Sequence, residues 1–460
     1  MAERLTPDIC VIGAGSGGLS VTAAAAAFGV PVVLIEKAKM GGDCLNTGCV
    51  PSKALLAAAK RAQVMRSGAS FGVSAPEPTV DFAKVHDHVH GVIAAIAPND
   101  SVQRFAGLGV RVIQGQARFK DRKTVAVGDQ FEIQARRFVI ATGSSPAIPP
   151  IPGLADTTYL TNETVFDLSE RPQHLIVIGA GPIGLELAQA FRRLGSGVTV
   201  LEAAAPLAKD DPECAAIVLD RLEREGVAIR TGVKVVQVKR ANEKVQVVLA
   251  GADSEETIEG SHLLVATGRR PNSDELDLEK AGVETDGRGF IKVNGRLETN
   301  VPGIWALGDV KGGPAFTHIS YNDYQILYAN IAEGKNLTID HRIVPYSVFT
   351  DPQLGRVGLT EKEARAKGHR LKVGKIPMTW VARAIERDET AGLMKLVVDA
   401  DNDRVLGAAI LASEGGELIQ MLGVLMLANL PYTLLKGAVY IHPTLAEGFF
   451  TLMEEVKPAD

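Results

Sequence analysis

Two cysteines separated by four residues, Cys44 and Cys49, stand in the segment Gly41-Gly42-Asp43-Cys44-Leu45-Asn46-Thr47-Gly48-Cys49-Val50-Pro51-Ser52-Lys53. This spacing suits a small-loop disulfide that can open and close. On the thiols alone, a metal half-site or two inert core thiols remain alternatives. The alanine- and leucine-rich residues that follow predict a helix. On a regular helix, positions 44 and 49 would point about 140° apart, so a disulfide between them must sit where the helix begins. A helix N-terminus also lowers a thiol's pKa, and the thiolate is the reactive form. Lys53, four residues beyond Cys49, falls on the same helical face. The chemistry these residues suit is reversible thiol–disulfide redox.

The elements that would position them repeat along the chain. Asp8-Ile9-Cys10-Val11-Ile12 reads as an apolar strand and runs into Gly13-Ala14-Gly15-Ser16-Gly17-Gly18. An alanine-rich helix follows, then the strand Val32-Val33-Leu34-Ile35 and Glu36. Gly13, Gly15 and Gly18 form a dinucleotide fingerprint, allowing a tight turn, close approach of a pyrophosphate and close helix–strand packing. The helix N-terminal amides suit phosphate, and Glu36 is placed for a ribose diol. The unit recurs with Gly179, Gly181 and Gly184, a helix, and Val198-Thr199-Val200-Leu201 ending at Glu202. In both copies the acid stands 23 residues after the first glycine. One chain is therefore expected to bind two dinucleotides, as hydride transfer between two cofactors requires. Glu202 carries a carboxylate suited to a 2′-hydroxyl, and Ala203, Ala204 and Ala205 offer no cation for a 2′-phosphate, so NADH is expected over NADPH.

Bulk properties bound the rest. A chain of 460 residues exceeds one ordinary core, so two or three domains are expected. With 46% hydrophobic and 22% charged residues it is globular, and a net charge of −5 gives no electrostatic reason to bind nucleic acid or an anionic membrane. The apolar stretch Leu418 to Leu430 is too short to span a bilayer. Nothing resembles a signal peptide, so a cytoplasmic, reducing setting is expected, where paired cysteines are more often catalytic than structural. Cys10 and Cys214 read as inert core thiols. His86 and His90, at i and i+4, could chelate a metal, but with no third ligand nearby a solvent-facing helix is expected and no metal site is assigned. Phe138 to Gly143 and Leu263 to Gly268 are strands running into glycine turns, Pro146 to Pro152 reads as a linker out of the first domain, and Arg269-Arg270-Pro271-Asn272 as the return. From about His341, short alternating strands at Leu393 to Val398 and Val405 to Leu411, flanking a helix, suggest an α+β unit.

Together these motifs resemble the FAD-dependent pyridine nucleotide–disulfide oxidoreductases, the family of glutathione reductase, dihydrolipoyl dehydrogenase and mercuric reductase. The resemblance rests on Gly41 to Lys53, both fingerprints, Ala306-Leu307-Gly308-Asp309 and His442-Pro443-Thr444-Leu445-Ala446-Glu447, and runs over essentially the whole chain. It implies an α/β fold with two Rossmann-like dinucleotide-binding domains and a C-terminal α+β dimerisation domain. The implied division is 1–150 and 271–340 for FAD, 151–270 for the nicotinamide cofactor and 341–460 for dimerisation. FAD would be held by Gly13, Gly15, Gly18, Glu36, Gly42, Lys53, Gly143 and Asp309. NAD would be held by Gly179, Gly181, Gly184, Glu202 and Gly268. Cys44 and Cys49 would be the redox disulfide, with Cys44 exchanging with substrate and Cys49 nearest the flavin. Lys53 would sit by the flavin paired with Glu186. His442 and Glu447, from the partner subunit of a homodimer, would be the acid–base pair.

The same resemblance implies a small disulfide or dithiol substrate, with dihydrolipoamide first among those to test. The alternative is a reductase of a soft metal ion or reactive electrophile using the same dithiol. Three departures stand out. Asp43 occupies a position where the family usually has threonine. Pro182 replaces the aromatic gate of glutathione reductases. The chain ends without the extra cysteine pair of mercuric reductase, although Phe316 to Tyr321 and Arg383 to Glu386 are similar to that branch.

Overall fold

The computed structural model describes residues 2–242, 244–251 and 255–459. The strand Ile9–Ile12 lies at the centre of a five-stranded parallel sheet, ordered Ile304–Ala306, Arg137–Ile140, Ile9–Ile12, Val32–Glu36 and Arg111–Gln114. Val32–Glu36 is buried at every position, as a parallel strand covered on both faces should be. Ile304–Ala306 joins this sheet beside Arg137–Ile140. Residues some 300 positions along the chain therefore complete the first nucleotide fold, and Gly308-Asp309 is delivered to its carboxyl edge.

The second fold repeats the pattern in Ala228–Thr231, Gly197–Glu202, His174–Ile178 and His262–Val265, all parallel. The exit and return segments meet. Ser144–Pro146 pairs antiparallel with Arg269–Pro271, a two-stranded ribbon where the chain leaves and re-enters the first fold. Two smaller groupings were not anticipated from the sequence: an antiparallel one of Val235–Ala241 with Lys244–Leu249 and Glu256–Gly260, and a mixed sheet in which Glu3–Leu5 pairs parallel with Phe131–Gln134.

The C-terminal part is a six-stranded antiparallel sheet ordered Tyr346–Val348, Gln353–Gly358, Val405–Ala412, Leu393–Asp399, Leu371–Pro377 and Lys457–Pro458. The expected α+β character holds, but two local expectations do not. Leu393–Asp399 and Val405–Ala412 pair directly, and the helix Gly415–Leu427 follows both instead of lying between them. All seven residues of Leu393–Asp399 are buried, because helices cover one face of the sheet and the second nucleotide fold covers part of the other. Even Lys395 is buried there, satisfied by Asp211, Glu213 and Glu361 at 3.0 Å each. Cys10 and Cys214 are fully buried, and burial pushes both thiols far above the ordinary range.

Candidate functional site

Both fingerprints divide labour among their glycines in the same way. A Cβ on Gly13 would strike the carbonyl of Ala141, and one on Gly179 the carbonyl of Ala266. A Cβ on Gly18 or Gly184 would strike the carbonyl of the first glycine of its own motif. The middle glycines differ from these: Gly15 has only the Gly42 Cα at 4.0 Å, and Gly181 has nothing within 4 Å. The outer glycines permit turn and packing, while the middle one keeps a backbone surface bare for a pyrophosphate. The acids match too. Glu36 accepts the Ala14 and Ala38 N–H groups at 2.6 and 2.7 Å, and Glu202 accepts those of Ala180 and Ala204 at 2.8 Å each. Each carboxylate is thereby fixed at its strand end with lone pairs to spare for sugar hydroxyls. A pocket lined by Ile12, Gly13, Glu36, Lys37, Gly115 and Thr142 opens beside the first of them. These features fit a dinucleotide at each fold. Gly143 and Gly268, both at positive φ with nothing near a built Cβ, turn the chain away at the ends of the strands beside each cradle.

The cysteine segment is docked onto the first cradle. The Gly41 N–H donates to the Ala14 carbonyl at 2.9 Å, and a Cβ on Gly42 would come within 2.7 Å of the Gly15 Cα. Gly42 has φ of +59°, so glycine is required there on both counts. From this contact the short helix Gly42–Asn46 carries Cys44, and Cys49 opens the long helix Cys49–Arg66, as a disulfide at a helix start requires. Both are free thiols in this structure. The two sulfurs are not equivalent. Cys49 is pulled down to about 6, chiefly because the Cys44 thiol hydrogen-bonds its sulfur, with help from the Thr317 hydroxyl and the Lys53 cation. Cys44, giving that hydrogen bond, is held far above the ordinary thiol range. The Thr317 Oγ1 lies 3.4 Å from the Cys49 sulfur, at the start of the helix Thr317–Ala332.

Lys53 and Glu186, from different nucleotide folds, meet at 2.9 Å. Glu186 is only 5% exposed, and its second oxygen accepts the Phe349 N–H at 2.9 Å. The Lys53 ammonium also lies 4.3 Å from the centre of the Phe349 ring, a cation–π contact. Asp309 accepts the Ser144 hydroxyl at 2.6 Å, and Arg269 lies between Asp309 at 3.7 Å and Asp43 at 3.3 Å. Cys44, Cys49, Lys53, Glu186 and, through Arg269, Asp309 therefore belong to one connected region.

His442 and Glu447 lie elsewhere. The imidazole Nδ1 and Glu447 Oε2 are 2.8 Å apart, and the side chain of His442 is 75% exposed. Neither side chain is hydrogen-bonded or ion-paired to the cysteines of its own chain among the described residues. They line a groove with Trp380, Tyr440 and Phe450, amid apolar side chains facing outward: Val439 is fully exposed, and Ile441 and Leu427 are 78% and 77% exposed. His86 and His90 lie with ring centres 4.2 Å apart and planes tilted by 44°, and among the described residues no group of three or more His, Cys, Asp or Glu is arranged for a metal. No described helix is long and apolar enough to cross a membrane.

Four contributors escaped the sequence reading as site residues: Thr317, Phe349, Arg269 and Asn162, whose amide donates to Asp43 Oδ1 and to the Thr47 carbonyl in the cysteine loop at 3.1 Å each. Arg269 was visible only as part of the return segment and Thr317 only within a branch-specific stretch. Phe349 and Asn162 carry no motif, and tertiary contact alone brings them in.

Comparison with known proteins agrees with this layout. Residues 7–323 match the pyridine nucleotide-disulphide oxidoreductase family, and residues 344–453 match that family's dimerisation domain. Dihydrolipoyl dehydrogenase of Thermus scotoductus is 38% identical over 459 residues, covering 98% of this chain and 97% of that protein. Mercuric reductase of Lysinibacillus sphaericus is 36% identical over 442 residues, covering 96% of this chain and 81% of its own. The Cu(II) complex of the HOCl-induced flavoprotein disulfide reductase RclA of Escherichia coli superposes with a TM-score of 0.89 at 34% identity, covering 98% of this chain and 100% of that one. The outward-facing apolar surface around His442 falls within the dimerisation domain, which pairs one copy with another. By sequence, fold and arrangement of the dithiol, the chain belongs to the pyridine nucleotide-disulphide oxidoreductase family.

Proposed function

We propose that the protein is an NADH-linked flavoenzyme that interconverts a small disulfide and its dithiol, dihydrolipoyl dehydrogenase-like in substrate. The observation that carries this reading is the unequal treatment of the two thiols. Cys49 is set up to remain a thiolate, whereas Cys44 keeps its proton and cannot attack or leave without a base. His442 is suited to be that base, because Glu447 holds Nδ1 and leaves Nε2 to take or return the proton. The nearest such pair in the homodimer would come from the partner copy, since the groove bearing it faces outward. FAD, when bound, supplies two-electron transfer between a nicotinamide and the dithiol. Gly13, Gly15, Gly18, Glu36, Gly42, Lys53, Gly143 and Asp309 would hold it, and Gly179, Gly181, Gly184, Glu202 and Gly268 would hold NAD. Residues 1–150 and 271–340, 151–270 and 341–460 are the corresponding functional units. The net reaction balances as NADH, a proton and a disulfide giving NAD and two thiols.

His442→Ala tests this reading. Turnover of lipoamide should fall by about 10²-fold or more, the range for losing a general acid–base group. Flavin reduction by NADH should scarcely change. A mixed dimer of Cys44→Ser and His442→Ala chains should recover one working site of two. An active monomer, or no complementation, would place the proton step within one chain.

A second reading has a specific support. Mercuric reductases stand among the relatives, and a solved structure of RclA is described as a Cu(II) complex. Reduction of a soft metal ion by the same dithiol consumes electrons without needing an imidazole proton relay. If His442→Ala keeps full turnover with Hg(II) or Cu(II) while the parent is slow on lipoamide, this second reading replaces the first.

A further inference from the structure

We infer that Asp43 is a positioning residue of the redox centre: a fixed negative charge beside the cysteine loop, it biases the Cys44–Cys49 pair toward the disulfide and makes the dithiol a stronger reductant. The inference rests on that pair being the redox centre.

The carboxylate immediately precedes Cys44 and is stapled in place. Its Oδ1 accepts the Thr47 hydroxyl at 2.9 Å and the Asn162 amide at 3.1 Å. The same Asn162 nitrogen donates to the Thr47 carbonyl at 3.1 Å, so the loop between the two cysteines is tied to a residue more than a hundred positions away. Gly48 completes the fit. A Cβ there would stand 2.8 Å from Asp43 Oδ2, so the loop closes over the carboxylate only because residue 48 has no side chain.

The charge is not cancelled. Arg269 approaches Asp43 Oδ2 at 3.3 Å, but it also faces Asp309 at 3.7 Å, so one guanidinium serves two carboxylates. On the other side, Lys53 faces Cys49 but is itself paired with Glu186. Asp43 opposes thiolate formation at both Cys44 and Cys49, and Lys53 favours it at Cys49.

The electron balance gives the sign. Two electrons and one proton convert the disulfide into the Cys44 thiol and the Cys49 thiolate, cleaving one S–S bond and adding one negative charge next to Asp43. Removing the carboxylate should therefore favour the reduced pair. For one unit charge several ångströms away in partly wet surroundings, a change of about 3- to 10-fold in the equilibrium constant is expected. Tenfold corresponds to about 30 mV for a two-electron couple.

The experiment is reductive titration of the flavin-loaded dimer against the NADH/NAD couple across pH, with Asp43→Asn and Asp43→Glu beside the parent. Asp43→Asn should shift the dithiol equilibrium toward the reduced pair by that factor, raising its potential, and lower the pH at which the Cys49 thiolate is half formed. Asp43→Glu should stay near the parent in both. Asp43→Thr provides a second uncharged side chain if the asparagine variant retains little flavin. Coincident curves for parent and both uncharged variants would overturn the inference. Equal shifts for asparagine and glutamate would overturn it too, because loop geometry and not charge would then be responsible. If the parent takes up only the two electrons of its flavin, and Cys44→Ser takes up the same, the dithiol reading and this inference fall together.

Discussion

The two nucleotide folds share their glycine geometry and the double backbone clasp on the acid, yet they are covered differently. Over the first cradle lies the cysteine segment, with Gly42 pressed against Gly15. Over the second, Leu207 makes the matching contact, its N–H donating to the Ala180 carbonyl at 3.1 Å. Yet among the described residues no atom lies within 4 Å of a Cβ built on Gly181, and Ile183 beside it is 40% exposed. Both cradles are crossed by the chain that follows the acid, but only in the first does that chain press on the middle glycine, and in the second the middle glycine is left bare. A covered cradle suits a resident group, and an open one suits a cosubstrate that must leave each cycle. The same covering segment carries the dithiol, so on the proposed assignment of cofactors anchoring the flavin and placing the sulfurs would be a single structural act.

Adding one methyl group to each fold probes this difference most severely. Gly42→Ala would drive a Cβ toward the Gly15 backbone at a residue whose φ of +59° already disfavours a side chain. Overpacking of this kind typically costs about 1–3 kcal/mol, and here the strain falls on the cradle itself. We expect purified Gly42→Ala to carry little or no flavin, read as the ratio of flavin to protein absorbance. Gly181→Ala meets no protein atom within 4 Å, so it should fold and retain full flavin. Its added methyl would face the pyrophosphate side, and KM for NADH should rise about tenfold or more, the cost of losing one close contact to a charged group. Loss of flavin from Gly181→Ala, or full flavin in Gly42→Ala, would contradict the difference in covering.

The sequence made the two folds and the dithiol legible for a physical reason. Each is a continuous segment whose glycines, acid or sulfurs are tied to one another by short-range geometry. Glu186 was reachable only through resemblance, because its partner Lys53 lies 133 residues away and no local pattern links them. Asn162 and Phe349 were not legible at all, since their roles arise from where the second fold and the C-terminal sheet pack. The strand Leu393–Asp399 misled for the opposite reason: it read as a short alternating strand, but all seven of its residues are buried, and three carboxylates satisfy Lys395 in the interior.

An effect of intermediate size is expected at the acids. Glu202 is pinned by two backbone N–H groups and cannot easily swing away from a 2′-phosphate. Losing a hydrogen bond to a charged group costs about 1.5–3 kcal/mol, so NADH should exceed NADPH in kcat/KM by roughly 10- to 100-fold. Glu202→Gln should narrow this ratio. Glu36→Gln, the matching change in the first fold, should weaken flavin retention and leave the ratio alone. If Glu36→Gln shifts the nucleotide preference instead, the assignment of cofactors to folds is reversed.

The smallest expected effect lies where the two folds touch. Lys53 comes from the first and Glu186 from the second, and Lys53 is one of the groups drawing Cys49 down to about 6. In the reduced enzyme the Cys49 thiolate should persist above that pH and be lost as the pH falls through it, followed by its long-wavelength absorbance with the flavin. Lys53→Met removes a cation, so the midpoint should move up by about one pH unit, a tenfold change in the thiolate equilibrium. Glu186→Gln leaves the cation but takes away its counter-charge, so the midpoint should move down by less. Opposite signs are the signature of a charge pair shared between the folds and acting on one sulfur. Shifts in the same direction would mean that the pair serves only to dock one fold on the other.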